Sequence, residues 1–167
     1  MSVLPSRPDP EILRRTAIFR ALGNTAIDAL LVCLRVRQVP AGTVVFAQGG
    51  PGASMIIVAE GVLVATVRNR AGAEQEINRM GPGETVGEMA FLDPAPRSAS
   101  VRAVTQATYY ELSEDGMKSL ESYAPAAAAA VVWAIIRDVT RRLRRIDGLI
   151  EDELTQRAAS RAQRTEP

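Results

Sequence analysis

Between Leu34 and Leu112 the chain alternates short runs rich in Val, Ile and Thr with breaks that carry glycine or proline. The runs are TVVFA, SMIIVA, VLVATV, EQEINRM, SASVRAV and ATYYEL; the breaks are Pro40 to Gly42, Gly49 to Gly52, Glu60-Gly61, Asn69 to Gly72, Gly81 to Gly83 and Asp93 to Pro96. Long helices do not survive such spacing, because proline removes an amide donor and interior glycine weakens each turn. β-branched and aromatic residues between tight turns describe antiparallel strands. With Arg35 to Val39 the pattern makes about seven or eight strands, enough to close a small barrel or jelly roll.

The flanks carry helical signals. Residues 1–8, with two prolines, read as a loose tail. Asp9 then stands as an N-cap before Pro10 and Glu11, a helix start. Thr25 is expected to cap a second helix running towards Cys33, with Ile27, Leu30, Leu31 and Leu34 on a helical period. Past Leu112, Ser113 followed by Glu114 and Asp115 starts another helix, and a longer one runs from Ala126 towards Arg161. In that helix Ile136, Val139, Leu143, Ile146 and Ile150 recur at three and four residues, with Leu154 four further on. Such a seam needs a partner surface, either the β unit or a second copy of the chain. Gly148 weakens the helix by roughly 1 kcal/mol and marks a place for a bend.

Composition removes most catalytic chemistry. The chain has no histidine and one cysteine, Cys33. Imidazole bases, histidine metal sites, disulfides within the chain and thiolate cages are therefore excluded. Cys33 lies in the apolar run AIDALLVCLRV and reads as a small buried hydrophobe. Twenty basic residues against nineteen acidic ones leave a net charge of +1, so no global field draws the chain to nucleic acid or to an anionic membrane. Arg137, Arg141, Arg142, Arg144 and Arg145 are interleaved with Asp138 and followed by Asp147, Glu151, Asp152 and Glu153, which reads as a solvated helix face. The first thirty residues lack an apolar signal core and no run matches a membrane span, so a cytoplasmic location is expected.

The stretch GEMAFLDPAPRSAS, Gly87 to Ser100, brings a glycine, a carboxylate and an arginine close together. A sugar-borne phosphodiester needs a close backbone approach, donors for its oxygens and an acceptor for a hydroxyl. Gly87 permits the approach, and Met89 to Leu92 can present free amides as in the first turn of a helix. Arg97 offers a planar donor fork and Ser98 a hydroxyl. Glu88 repels a phosphate and belongs there only if it accepts from a sugar hydroxyl or pairs with an arginine. The competing reading is a surface ion pair of Glu88 with Arg97 over a proline turn, worth at most about 1 kcal/mol.

Gly83-Glu84 followed by GEMAFLDPAPRSASVRA resembles the phosphate-binding cassette of the cyclic nucleotide-binding domain superfamily. The similarity extends upstream through IFRALGNTAIDALLVCLRVRQVPAGTVVFAQGGPGASMIIVAEGVLVATV, with Gly42, Gly49, Gly52 and Gly61 at its turns, and covers residues 14–146. The resemblance implies that Glu88 accepts from the ribose 2′-hydroxyl beside the Gly87 backbone, and that Arg97 pairs with the cyclic phosphate. Ser98 and the amides of Met89 and Ala90 complete the phosphate shell. Val86 and Ala99 form the apolar floor, with Ile57 and Val64 as further candidates. One turn departs from the family, Gln48-Gly49-Gly50, which has glycine where many members have aspartate. In the activator branch of the family the C-terminal helix supplies hydroxyl side chains to the base. Aligning Arg141-Arg142-Leu143 places Ile146 and Asp147 there instead, where Asp147 either accepts from a purine amine or is a solvated helix residue.

On this basis the expected fold is α+β: an eight-stranded antiparallel β roll flanked by N-terminal helices and a long C-terminal helix. The domain covers 9–146, followed by a helix extension and polar tail over 147–167. The expected function is a stand-alone sensor, not an enzyme, that binds cyclic AMP in preference to cyclic GMP without a metal and signals by moving its C-terminal helix. Its output is an unidentified protein effector, with neither DNA nor membrane as partner, and a homodimer through Ile136, Val139, Leu143, Ile146 and Ile150 is one assembly the seam allows. The alternative is a nucleotide-independent dimeric interaction module on the same fold. A metal-dependent enzyme on a related roll is disfavoured by the lack of histidine.

Overall fold

The structure is a computed structural model that describes residues 7–69 and 72–163, with side chains as far as residue 145. Two short helices, α1 (Pro10–Arg15) and α2 (Asn24–Leu31), precede strands β1 (Arg35–Val39), β2 (Val44–Phe46), β3 (Ser54–Glu60), β4 (Leu63–Arg68), β5 (Glu74–Met80) and β6 (Thr85–Val86). After these come α3 (Glu88–Leu92), β7 (Ser100–Ala103), β8 (Ala107–Ser113), α4 (Glu114–Tyr123) and α5 (Pro125–Gln163). The strands form two antiparallel four-stranded sheets, β1-β8-β3-β6 and β2-β7-β4-β5. First pairs with last in a nested series, β1 with β8, β2 with β7, β3 with β6 and β4 with β5, which is the winding of a jelly roll. The expected eight-stranded roll is the observed one. The strand absent from the sequence reading is β6, whose two residues lie opposite Ile56 and Ile57.

The side-chain period of two explains why SMIIVA is apolar throughout. Met55, Ile57 and Ala59 of β3 point to one core, shared with the helices, while Ile56 and Val58 point to the other, between the sheets. β8 divides the same way: Tyr110 and Leu112 face the helices, Ala107 and Tyr109 the roll interior. Strands covered on both faces lose the polar alternation of a half-exposed strand. β5 is the opposite case, an edge strand exposed along most of its length and rich in charge, which discourages edge pairing with other chains.

Helix ends follow local chemistry. The Asp9 side chain accepts from the Glu11 amide and Ser113 from the Gly116 amide, both as expected. Thr25 does not cap α2. The cap is Gly23, without a side-chain bond, and Thr25 is exposed one residue inside the helix. Cys33 is half-buried against the helical core, where burial pushes its thiol pKa up, which keeps it inert.

α5 docks through Ala127, Ala128, Val131 and Ile135 onto a core that also holds Leu13, Phe19, Ile27 and Leu120. The seam read from the sequence divides here. Val139 packs towards the domain, whereas Ile136 and Leu143 are exposed, because the spacing of α5 turns two adjacent stripes of the helix to different surroundings. Ile146 and Ile150 lie outside the described side chains, as does Asp147. No helix among the described residues is long and apolar enough to cross a membrane.

Candidate functional site

The cassette is set by a backbone feature at the end of β6. Gly87 adopts φ 93°, a left-handed conformation that glycine takes without strain, and caps α3. The turn sends the Glu88 side chain inward, leaving the residue 7% exposed, and leaves the first amides of α3 without acceptors within the helix. β-branched or larger residues fail at Gly87 for a second reason. A Cβ there would lie 2.7 Å from Arg97 Nη1 and 2.8 Å from the Ser54 carbonyl oxygen.

Arg97 occupies the room so kept. It is 6% exposed, lies over the Phe46 ring at 3.6 Å from the centroid, and donates through Nη1 to the Ser54 carbonyl at 2.7 Å and through Nη2 to Ser54 Oγ at 3.1 Å. A longer bond of 3.4 Å runs from Nη1 to the Gly87 carbonyl. On the other side of the guanidinium a Cβ at Gly52 would come within 3.1 Å of Nε. Burial pulls the Arg97 pKa down from its usual range, and the charge of Glu111 works in the opposite direction.

Glu88 and Arg97 are therefore not a surface ion pair. Both are buried, and they have different partners. Glu88 Oε1 accepts from Arg142 Nη1 at 2.7 Å, and Arg142 Nη2 donates to Thr85 Oγ1 at 3.2 Å. Arg142 Nε lies 2.8 Å from Oδ2 of Asp138, one helical turn earlier on α5 and 6% exposed. Arg141 reaches Oδ1 of the same carboxylate at 3.3 Å. Arg142 and Asp138 thus leave the solvated face expected for the arginine cluster and join the site, because α5 passes over α3 at this point. Two carboxylates and two guanidinium groups balance within it. Glu88 Oε2, Arg97 Nε and Asp138 Oδ2 are buried without a hydrogen-bond partner among the described residues, so Asp138 meets Arg142 Nε as an ion pair by distance alone.

A cavity of about 150 Å³ lies between these groups. Val86, Gly87, Glu88, Met89 and Ala90 contribute one side, and Arg97, Ser98 and Ala99 another, so the eight cassette residues expected from the sequence all border one space. Ser98 is exposed at its edge. The two further floor candidates do not reach it. Ile57 points into the helical core, and on β4 the lining residue is Ala65, so that Val64 falls on the opposite face. The sequence reading also missed Phe46, Met80, Val101, Ile77, Asn78 and Arg142 in the lining. Among the described residues no group of three or more His, Cys, Asp or Glu side chains could hold a metal ion.

Residues 36–122 match the family model described as cyclic nucleotide-binding domain. The chain belongs to this family. A CRP-like cAMP-activated global transcriptional regulator of Mycobacterium tuberculosis is 32% identical over 142 residues, which make up 85% of this chain and 62% of the relative. The chain thus spans about three fifths of the length of that curated relative. The crystal structure of Thermus thermophilus catabolite activator protein superposes on this cyclic nucleotide-binding domain with a TM-score of 0.73 at 31% identity, covering 84% of this chain and 63% of the other. The regulatory domain of Toxoplasma gondii PKA, crystallised with cAMP, gives 0.61 at 28% identity, covering 66% and 42%. Relatives of this domain include regulators, ion channels and kinase regulatory subunits, which are not catalytic families.

Proposed function

We propose that the protein is a regulatory sensor that binds a cyclic nucleotide, cyclic AMP in preference to cyclic GMP, and signals through the position of α5. One observation carries this reading: Glu88, whose buried Oε2 has no hydrogen-bond partner among the described residues, lines the same cavity as the buried Arg97. A buried acceptor left unpaired costs free energy, and a ribose hydroxyl donating to it removes that cost. The cyclic phosphate takes the Arg97 fork in exchange for the Ser54 contacts and adds the first amides of α3 and the Ser98 hydroxyl. The apolar lining receives the base. The preference for cyclic AMP is supported by the cAMP named for the Mycobacterium regulator and the Toxoplasma co-crystal. Asp147 remains the proposed contact for the purine amine.

α5 enters because Arg142 joins it to Glu88. A ligand that draws on Glu88 acts on the same guanidinium that ties the helix to the cassette, and it shifts α5 to the extent that it binds the two arrangements unequally. Arg142 is engaged by Glu88 and Asp138 and Arg141 by Asp138, so the arginine cluster is interrupted by its own acids, which favours a protein effector over DNA.

A second reading has its own observation. Arg97 is already engaged by Ser54, and Glu88 by Arg142, without any ligand. A nucleotide-independent interaction module would look the same at these contacts. Thermal melts separate the two: a ligand at a hundredfold excess over its Kd stabilises by about 2.7 kcal/mol. Cyclic AMP should raise the Tm, cyclic GMP less, and Arg97→Ala should remove both shifts. A Tm indifferent to both nucleotides selects the interaction module.

A further inference from the structure

The guanidinium of Arg97 has no pair of donors to spare for an anion. Its Nε edge is closed by the chain at Gly52, where a Cβ would already come within 3.1 Å of Nε and 2.8 Å of the Ala95 carbonyl oxygen. Its end, Nη1 with Nη2, is the fork that suits two phosphate oxygens, and Ser54 holds both halves of it. Nη1 donates to the Ser54 carbonyl at 2.7 Å and Nη2 to Ser54 Oγ at 3.1 Å. The longer bond of Nη1 goes to the Gly87 carbonyl at 3.4 Å. An anion at this arginine has to take the fork from Ser54.

The two acceptors of Ser54 differ in kind. The carbonyl belongs to the backbone of β3, which pairs with β8 from Ser54 opposite Ser113 onward. The hydroxyl is a side-chain group that strand pairing does not require. At Nη2 it stabilises Arg97 in the absence of a ligand, and the bond is given up when an anion takes the fork. An interaction made only in the free state subtracts from affinity.

Phe46 is placed to support the guanidinium through that exchange. β2 pairs with β7 at Phe46 opposite Val101, and the Arg97 guanidinium lies 3.6 Å from the ring centroid. With Arg97, Phe46 borders both the cassette cavity and an outer hollow of about 430 Å³ that also holds Ser54 and Glu111. Attraction of a cation to a ring face depends on its distance from the centroid, not on which way the fork points above the ring. Gly87 keeps the space for both, since a Cβ there would stand 3.0 Å from the Phe46 ring as well as against the arginine.

We propose that the Ser54 hydroxyl is a built-in competitor of the ligand's phosphate for Arg97, and that Phe46 is the platform on which the guanidinium turns from one to the other. This rests on the sensor reading, since it needs a phosphate-bearing ligand. Both are positioning residues, which in this role act on the ligand through Arg97.

The test is titration calorimetry with cyclic AMP and cyclic GMP, beside melts without nucleotide. Ser54→Ala should bind cyclic AMP about fivefold more tightly than the wild type, and Ser54→Thr, which keeps the hydroxyl, as the wild type does. Ser54→Ala should also lower the Tm of the ligand-free protein, but not where Arg97 is already alanine. A merely structural serine would lose stability and affinity together. Phe46→Leu should weaken binding about fivefold, and Phe46→Tyr should restore it. A Tm loss that is the same in both backgrounds, or Ser54→Ala that binds no more tightly, overturns the competition. Phe46→Leu that binds as the wild type does overturns the platform. A wild type that binds neither nucleotide overturns the sensor reading and this proposal together, whereas a wild type that binds, with no gain in Ser54→Ala, overturns this proposal alone.

Discussion

At the scale of single residues the site is a contest for Glu88. Arg142 holds one of its oxygens and leaves the other free, and Asp138 is what keeps the division, by occupying the Nε edge of the same guanidinium. With Asp138 neutral, Arg142 is free to turn its fork onto both oxygens of Glu88 and compete with a ribose hydroxyl. Asp138→Asn is therefore expected to weaken cyclic AMP by about 1 kcal/mol, roughly fivefold, in titration calorimetry. Added to Glu88→Gln, it should weaken binding no further, since the contested carboxylate is gone. Equal losses in both backgrounds would mean that Asp138 acts elsewhere. The legibility of these residues follows their separation along the chain. Glu88 and Arg97 lie within one short cassette and were readable together, although their surface pairing was not the outcome. Arg142 is 54 positions from Glu88, and Phe46 meets Arg97 only through sheet pairing, so neither carries a local sign of its role.

At the scale of elements, capping chemistry was readable where a side chain closes the cap and misleading where backbone alone does. Ser113 accepts from the Gly116 amide at 3.2 Å at the start of α4, the helix that packs against α5. Ser113→Ala should cost about 1 kcal/mol in urea unfolding, because it leaves a first-turn amide without that acceptor. Thr25→Ala should change stability by less than about 0.5 kcal/mol, as the residue is exposed and the cap is Gly23. A comparable loss at Thr25 would show that its hydroxyl has a role in solution after all. The strands make the complementary point. Continuous apolar runs in β3 and β8 announced burial but not that the burial is in two separate cores, since that depends on the helices closing one face. The same ambiguity put Val64 on the cavity floor in place of Ala65, its neighbour one residue on.

At the scale of the molecule, α5 is common to the helical core and the candidate nucleotide cassette. Val131 and Ile135 fix it in the core, Arg142 reaches Glu88 across from α3, and Trp133 stands on the side away from both. Trp133 is the sole tryptophan of the chain, so its emission reports on this helix alone. If binding at Glu88 and Arg97 moves α5, saturating cyclic AMP should change the emission of Trp133 or its quenching by acrylamide. Burial of apolar side chains in the core resists small displacements, so the helix has to settle in one of a few packed arrangements, and the response should saturate with the ligand. In Arg142→Ala the phosphate still has Arg97 and the amides of α3, so nucleotide should still bind, measured by calorimetry, while the Trp133 response falls away. Binding in the wild type with no change in emission or quenching would place the output of the domain on a surface other than α5. A response that persists undiminished in Arg142→Ala would show that the helix is moved by another contact, since no other side chain on α5 is bonded to the cassette among the described residues.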